Sequence, residues 1–495
     1  MGREEEILKE RLRKIEELRK VGINPFPYYY NQENHAAELQ EKYKKLKNES
    51  RTKDNVKVAG RVIVIRDIGK LAFISLQDGS GKIQVQIQQE LTPEKEFDFF
   101  KKYIDSGDFI GVEGAITRTK RGELTVLAGK IELLSKSLRP LPEKWHGLQD
   151  KEERYRKRYL DLIMSPEVRG VFVKRSKIIN AIREFLNSRD YLEVDTPVLQ
   201  PIYGGAAAKP FLTHLNALDM KLYLRISNEL YLKRLIVGGF ERVYEFARDF
   251  RNEGIDRTHN PEFTQVELYQ AYADYNEMMK ICEELWGYVA KKVLGTTEID
   301  YQGNKINLKA PWQRLSMKEA IKKYAKIDVD SLDDEKLSEI IEKNRIKSKG
   351  TIRGWMIASI FEHFCEKHLI QPTFIYDYPE ETTPLCKSKR GDSLTTLVER
   401  FELYILGMEI GNAYSELNNP VKQEILLEQQ AKELKKGNEE ANPMDEDFVD
   451  ALEVGMPPTG GLGIGIDRMV MLLTNSSSIK DVLLFPFMKP QELDN

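Results

Sequence analysis

The segment Phe250-Arg-Asn-Glu-Gly-Ile-Asp-Arg-Thr-His259-Asn-Pro-Glu-Phe263-Thr-Gln-Val-Glu267-Leu-Tyr269 reads as a strand, a charged loop and a returning strand. Residues two apart on a strand share a face. Arg251 and Glu253 therefore fall together on the first strand, and Phe263, Gln265, Glu267 and Tyr269 on the second. One surface then carries a guanidinium suited to phosphate, an aromatic plate and several carboxylates, a set able to grip a nucleoside triphosphate. The alternative is a surface hairpin laced with weak salt bridges. His259 has two readings as well, a charge for that site or a hydrogen-bonded loop histidine.

A second cluster is Arg400-Phe-Glu402-Leu-Tyr-Ile-Leu-Gly407-Met-Glu409-Ile-Gly411-Asn412-Ala-Tyr414-Ser-Glu416. A hairpin turning near Ile405 and Leu406 sets Glu402 opposite Glu409. Like charges opposed across a ladder destabilise it, and one pKa rises unless something neutralises the pair. A divalent cation would do so, and hard oxygen donors without Cys or His favour Mg2+. In the competing arrangement each carboxylate reaches its own lysine or arginine. Asn412 and Glu416 share strand parity, and Glu409 joins them only if a bulge near Gly411 shifts the face. A third cluster, Gly460-Gly-Leu-Gly463-Ile-Gly465-Ile-Asp467-Arg468, is a glycine-rich strand entering a helix. Its spacing fits neither a dinucleotide fingerprint nor a Walker lysine loop.

The elements that must position these residues divide the 495-residue chain, which exceeds the size of a single growing core. A charged amphipathic helix spans about 3–20, with Pro25 and Pro27 as its stop and a second polar helix running on to Asn48. From Val56 the period becomes two: Val58–Ile65, Leu71–Leu76, Ile83–Ile87, Phe109–Thr117 and Leu124–Leu133 predict a five-stranded barrel, most simply an OB-fold, over 56–140. Within it Ile83, Val85 and Ile87 form one face, which leaves Phe73 and Gln84 pointing outward as a platform for unpaired bases. An aromatic in a barrel is otherwise a core residue. A Pro-containing linker spans 141–165, and a large α+β unit follows from 166, opening on a helix Lys174–Ser188 whose apolar side is Ile178, Ile179, Ile182, Phe185 and Leu186. Residues 315–370 read as several helices without a chemical role.

Bulk properties narrow the function. A net charge of −3 excludes wholesale electrostatic attraction to nucleic acid, so any RNA contact is local. The basic run Lys151–Arg175 is either one such patch or a solvated helix face. Cys282, Cys365 and Cys386 lie too far apart for a disulfide framework or thiolate zinc site, which fits a reducing cytoplasm. No apolar run of membrane-spanning length and no signal-peptide core appears, so no membrane partner is expected.

The hairpin wording Arg-Asn-Glu-Gly…His-Asn-Pro-Glu-Phe-Thr resembles motif 2 (about 245–270) of class II aminoacyl-tRNA synthetases, the lysine enzymes in particular. The helix, strand and Pro197 over about 174–197 are similar to motif 1, and the glycine-rich strand over about 459–474 to motif 3. With the barrel in front, the resemblance covers nearly the whole chain in the family's order. It implies an N-terminal OB-fold that reads the anticodon through Phe73 and Gln84, and a catalytic domain of antiparallel β-sheet flanked by helices, dimerising through motif 1. It implies ATP held by Arg251, Asn252, Glu253, His259, Asn260, Phe263, Glu409, Ile410, Gly465 and Arg468, with Arg468 and Phe263 sandwiching the adenine. Arg251, His259 and Arg468 are the implied catalytic residues, Glu402 and Glu409 the Mg2+ ligands, and tRNA(Lys) the partner. For L-lysine it implies Glu229 at the α-amino group, Glu267 and Glu416 at the side-chain ammonium, Tyr269 and Asn412 beside them, and the Gly205 backbone. The acidic character of that pocket suits a diammonium substrate and not aspartate. Thr383-Pro-Leu-Cys386-Lys departs from the family's usual Ser-Pro-Leu-Ala-Lys, at a position expected to touch no charged ligand. A shortened lysine-activating paralogue would lack strands 56–134, and a catalytically silent relative would not keep Arg251, Glu253, Glu402, Glu409 and Arg468.

Overall fold

The computed structural model describes residues 2–142, 150–348, 350–391 and 396–491. The chain forms two compact units, the first ending at residue 149 and the second beginning at Asp150. Among the described residues no helix is long and apolar enough to cross a membrane, and Cys282, Cys365 and Cys386 are free and buried.

The first unit begins with the helix Arg3–Lys20, which buries Ile15 and Leu18. It is ended by Gly22 rather than by the prolines. With φ at +74°, Gly22 lets its amide donate to the Arg19 carbonyl at 3.1 Å and the Ile23 amide to the Leu18 carbonyl at 2.9 Å, the paired bonds that close a helix through a left-handed residue. The second helix is short, Ala36–Lys42, and does not reach Asn48. Five strands follow: β1 (Arg51–Asp67), β2 (Leu71–Gln77), β3 (Lys82–Gln88), β4 (Phe109–Arg118) and β5 (Leu124–Ser135). They close in the order β1-β2-β3-β5-β4. The first strand starts before Val56. Ala72, Ile74, Leu76, Ile83, Val85 and Ile87 fill the interior. A helix Glu94–Tyr103, absent from the sequence reading, burying Phe97, Phe100 and Tyr103, separates β3 from β4.

The second unit takes in most of the expected linker, from Asp150 onward. Helices Lys151–Arg156 and Arg158–Met164 belong to it, while linker residues 143–149 lie outside the described residues. Arg158 is buried, pairs with Asp161 at 2.7 Å, and donates to the carbonyls of Lys480 and Leu484 at 2.8 and 3.1 Å. Arg154 meets Asp161 of the following helix, Arg156 meets Glu152, Lys157 meets Glu153, and Arg175 meets Asp467. Much of the basic run is therefore committed within the fold.

The helix predicted from Lys174 starts earlier, at Pro166, and runs to Asn187. It leads into β6 (Leu192–Glu193). Strands β7 (Leu199–Gln200), β8 (Leu212–Leu215) and β9 (Met220–Leu224) make a small sheet in the order β7-β9-β8. After the helix Glu229–Val237 come β10 (Arg242–Phe250) and β11 (Glu262–Ala271), then the hairpin β12 (Glu298–Tyr301) and β13 (Asn304–Asn307). The remaining strands are β14 (Gln313–Ser316), β15 (Thr373–Pro379), β16 (Leu397–Ile405), β17 (Met408–Ser415) and β18 (Thr459–Gly465). The main sheet runs β14-β15-β16-β17-β18-β11-β10-β6. It is antiparallel except at its two edges, where β14 meets β15 and β6 meets β10 in parallel.

Alternation gives this sheet two unlike faces. Tyr244, Val266, Leu268, Phe401, Leu403, Ala413, Leu462 and Ile464 join one apolar core with the helices Pro166–Asn187, Tyr275–Leu294 and Ile466–Thr474. Each such aliphatic or aromatic side chain contributes about 1.5–3 kcal/mol on full burial. The opposite face carries the polar residues. Segment 315–370 supplies helices Met317–Tyr324, Asp334–Lys343 and Arg353–Phe364 with an apolar cluster of their own against β15.

Candidate active site

On the polar face the strand register lines residues up in rows. Glu245, Glu267, Gly463, Asn412 and Glu402 sit opposite one another across β10, β11, β18, β17 and β16. The neighbouring row is Val243, Tyr269, Gly461, Tyr414 and Arg400, and a shorter one is Ala247, Gln265 and Gly465. Glycine occupies the β18 position each time, so on this face the middle strand presents no side chains and a trough opens between β11 and β17. A Cβ at Gly461 would collide with Glu416 Oε1 and the Tyr269 ring, and one at Gly463 would press on Asn412 Oδ1 at 3.3 Å.

At its open end the trough becomes a cleft lined by Arg251, Glu253, His259, Asn260, Phe263, Glu409, Ile410, Asn412, Gly465 and Arg468. Every residue expected at a nucleotide is there except Asn252, whose amide donates to the Lys209 carbonyl at 2.8 Å. Strand β10 stops at Phe250, so Arg251 and Glu253 lie in the loop and not on the strand. The Arg251 amide still reaches the Pro261 carbonyl at 2.8 Å, and its guanidinium lies 5.0 Å from the centre of the Phe263 ring.

His259 is hydrogen-bonded within its loop, the second of its two readings, and it also borders the cleft. Its Nδ1 lies 2.8 Å from Asp256 Oδ2 and its Nε2 lies 3.1 Å from Arg468 Nη2. Arg468 can only donate, so Nε2 accepts and Nδ1 carries the proton given to Asp256. Burial works against ionisation of Asp256, but the Thr258 amide and His259 hold its carboxyl down at about 2. Arg468 also donates to the Glu409 carbonyl, which fixes its guanidinium between the loop and β17.

The inner end holds the carboxylates. Glu267 accepts from Gln265 Nε2 at 2.6 Å and from the Tyr269 hydroxyl at 3.2 Å, with Ser227 Oγ at 3.3 Å. Burial, and then Asp249 and Glu229 nearby, push its carboxyl well above the usual range. No cation pairs with it among the described residues. Gly205, with φ at +86°, lies where a Cβ would come within 2.9 Å of Ser227 Oγ and 3.1 Å of Glu229 Cβ. Glu229 and Glu416, by contrast, are not vacant. The ammonium of Lys233, a residue the sequence reading passed over, lies 2.5 Å from Glu229 Oε1 and 2.5 Å from Glu416 Oε2. Its signal was present as Glu229-x-x-x-Lys233, a spacing that brings two side chains together on a helix. Cys386 also belongs to this wall, since it bridges to Glu416 across the backbone. The sequence departure there is adjacent to a charged group after all.

The expected opposition of Glu402 and Glu409 does not occur. Glu402 faces Asn412 and Glu409 faces Tyr404, because the hairpin turns at Leu406 and Gly407 rather than at Ile405 and Leu406, and a register shift between Leu403 and Tyr404 then leaves Ile410 as an extra residue. That bulge puts Glu409 and Asn412 on one face, as the parity argument required. Glu402 pairs with Arg400, two residues back, and accepts from Tyr378 and Tyr404 at 2.7 and 2.6 Å. Glu409 has no ion-pair partner among the described residues. Burial raises its pKa, and Glu402 raises it further. No cluster of three or more metal-ligating side chains exists among the described residues.

Sequence reasoning also missed Asp467, which ties three motifs together. Its Oδ1 pairs with Arg175 on the long helix at 2.5 Å and its Oδ2 accepts from the Thr264 amide on β11 at 2.8 Å. Arg175 completes the triangle by donating to Thr264 Oγ1 at 3.1 Å. Separations of this length leave no local trace in a sequence.

The chain matches the family of class II tRNA synthetases (D, K and N) over residues 150–489 and the OB-fold nucleic acid binding domain over 56–134. It is 52% identical to a lysine–tRNA ligase of Methanoculleus marisnigri, over 96% of this chain and 94% of that protein. Against those of Clostridium novyi and Carboxydothermus hydrogenoformans it is 51% and 52% identical, over 98% of this chain and 94% and 99% of theirs. Trough, hairpin, glycine strand and barrel are thus the parts of a known design, and the chain belongs to the class II tRNA synthetases, among the lysine–tRNA ligases.

Proposed function

We propose that this protein activates L-lysine with ATP and transfers it to the 3′ end of tRNA(Lys). The observation that carries the choice of amino acid is Glu267. It is a buried carboxylate bonded to Gln265 and Tyr269 but, among the described residues, to no cation, in a trough where a diammonium substrate would supply one. Burying an unpaired charge is costly, and a bound ammonium removes the cost.

In the first step the lysine carboxylate attacks the α-phosphorus in line, giving lysyl-adenylate and pyrophosphate. In the second the terminal ribose hydroxyl of the tRNA attacks the adenylate and releases AMP. No side-chain nucleophile is required. Arg251 stands at the mouth of the trough to meet phosphate charge, while Arg468 and His259 brace each other beside the cleft. Alignment and charge neutralisation supply the rate. Glu409, unpaired and raised in pKa by burial and by Glu402, fits a hard cation, with Glu402 beside it once Arg400 shares the charge. Mg2+ is the cation we assign, and when bound it would offset triphosphate charge.

Phe73 and Gln84 line an outward hollow of the barrel with Arg66, Ser75 and Lys82, and Gln84 donates to Thr125 Oγ1 at 2.9 Å. This is equipment for reading anticodon bases. A homodimer through motif 1, about 174–197, and a cytoplasmic location complete the proposal. The test is pyrophosphate exchange with each of the twenty amino acids, followed by charging of tRNA(Lys). Lysine alone should support exchange; exchange with aspartate or asparagine instead, or with none, refutes the reading.

A further inference from the structure

Lys233 lies on the helix Glu229–Val237 and is fully buried. Its ammonium touches one oxygen of Glu229 and one of Glu416. The second Glu416 oxygen, Oε1, has no hydrogen-bond partner among the described residues and hangs over Gly461, beside the Tyr269 ring. A desolvated carboxylate half-committed to a resident cation, its other half facing a side-chain-free trough, is an acceptor already set for a second cation. We propose that Lys233 is a positioning residue for amino-acid selection: it holds Glu229 and Glu416 in place as charged acceptors, each with one oxygen left for substrate.

The charge count follows. When all three are ionised, Glu229, Glu267 and Glu416 against Lys233 leave two uncompensated negative charges, and free lysine brings two ammonium groups that would hold them in that state. A neutral amino acid leaves one unmet, and an acidic one adds to them. Without Lys233, three buried carboxylates would face each other, and such a group takes up protons instead of ionising. The groups facing Lys233 and Glu416 from the surrounding elements are Glu267 and Tyr269 on β11, Tyr414 on β17, Arg400 on β16, and Cys386 and Lys387. Burial lifts the Glu416 carboxyl while Lys233 pulls it down, with Glu229 opposing and Lys387 assisting that pull.

This inference rests on lysine activation as proposed above, so wild-type exchange is measured first; its absence refutes that reading and not the role of Lys233. The experiment then compares Lys233→Gln and Lys233→Arg with wild type by pyrophosphate exchange from pH 6 to 9. For Lys233→Gln, KM for lysine should rise at least about tenfold, as for a buried charge stripped of its partner. KM for ATP should stay within about twofold, and the pH midpoint of kcat/KM for lysine should move alkaline. Lys233→Arg keeps the charge, so it should keep the wild-type midpoint while raising KM for lysine through displaced carboxylates. Equal losses for lysine and ATP with an unmoved midpoint in Lys233→Gln would make Lys233 a packing residue and overturn the proposal. If that variant does not accumulate folded, Lys233→Arg decides alone: a shifted midpoint, or an unchanged KM for lysine, overturns it.

Discussion

The barrel and the main sheet obey the same alternation and use the freed face in opposite ways. In the barrel, Phe73, Ser75, Gln84 and Gln86 stand half-exposed with no carboxylate among them. A base can stack there at little desolvation cost. In the sheet, Glu245, Glu267 and Glu402 are buried along one row, the first two directly opposed and the third beyond a glycine and an asparagine. What differs is water. An exposed platform can tolerate any neutral base, whereas a dry trough enforces charge complementarity because every unpaired group inside it is expensive.

Removing charge from the dry surface should therefore cost the most. Arg251→Ala should lower kcat for pyrophosphate exchange by about 10²–10³-fold, the scale seen when one preorganised donor to developing charge is lost, with KM for lysine nearly unchanged. A loss below about tenfold would separate Arg251 from the phosphates. Glu267→Gln should reduce kcat/KM for lysine by at least about thirtyfold, since removing one partner of a buried charge pair costs roughly 2–5 kcal/mol; less than about threefold would take Glu267 out of the pocket. On the wet surface, Phe73→Ala should lower tRNA charging by roughly five- to a hundredfold, the worth of one stacked base, and leave pyrophosphate exchange intact. Equal losses in both assays would mean that Phe73 acts through barrel stability.

The smallest effect concerns pH. Burial pushes Asp249 up to about 6 against the pull of Arg225 and Arg251. Between about pH 4 and 6 the folded protein keeps a proton that the unfolded chain has released, so this group's contribution to stability falls as pH rises through that window, by at most about 3 kcal/mol. Asp249→Asn removes the dependence. Its Tm relative to wild type should climb from pH 4 to 6 and then level, and a constant offset across that range would show that Asp249 is ionised throughout.

Period-two patterns of the barrel were legible because each strand has one wet and one dry face. Two of the catalytic segments were legible because unusual residues are consecutive in them: Arg251 through Phe263, and Gly460 through Arg468. The pairing of Glu402 was not, since a turn at Leu406 and Gly407 and one bulged residue, Ile410, together move its partner from Glu409 to Asn412, and register depends on packing across strands. Arg400 was visible two positions away on the same face, and parity alone would have flagged it as a neutraliser. Lys233 was likewise in view at helical spacing from Glu229, but only a fold that brings Glu416 beside it reveals a bridge. Helix Glu94–Tyr103 carries Phe97, Phe100 and Tyr103 at three-residue intervals, a signal hidden by its position between two strands of an otherwise regular barrel.

Asp467 bears on when the active site comes into being during synthesis. Its carboxylate holds Arg175 and the Thr264 amide together, and β18, which precedes it, floors the trough. A ribosome-bound chain that has not yet reached this aspartate can fold its barrel and form the β10–β11 hairpin, but it has neither a floor for the trough nor the clasp that joins hairpin to helix. Until residue 467 has been added, the chain therefore lacks the floor and the clasp on which the proposed activation of lysine rests.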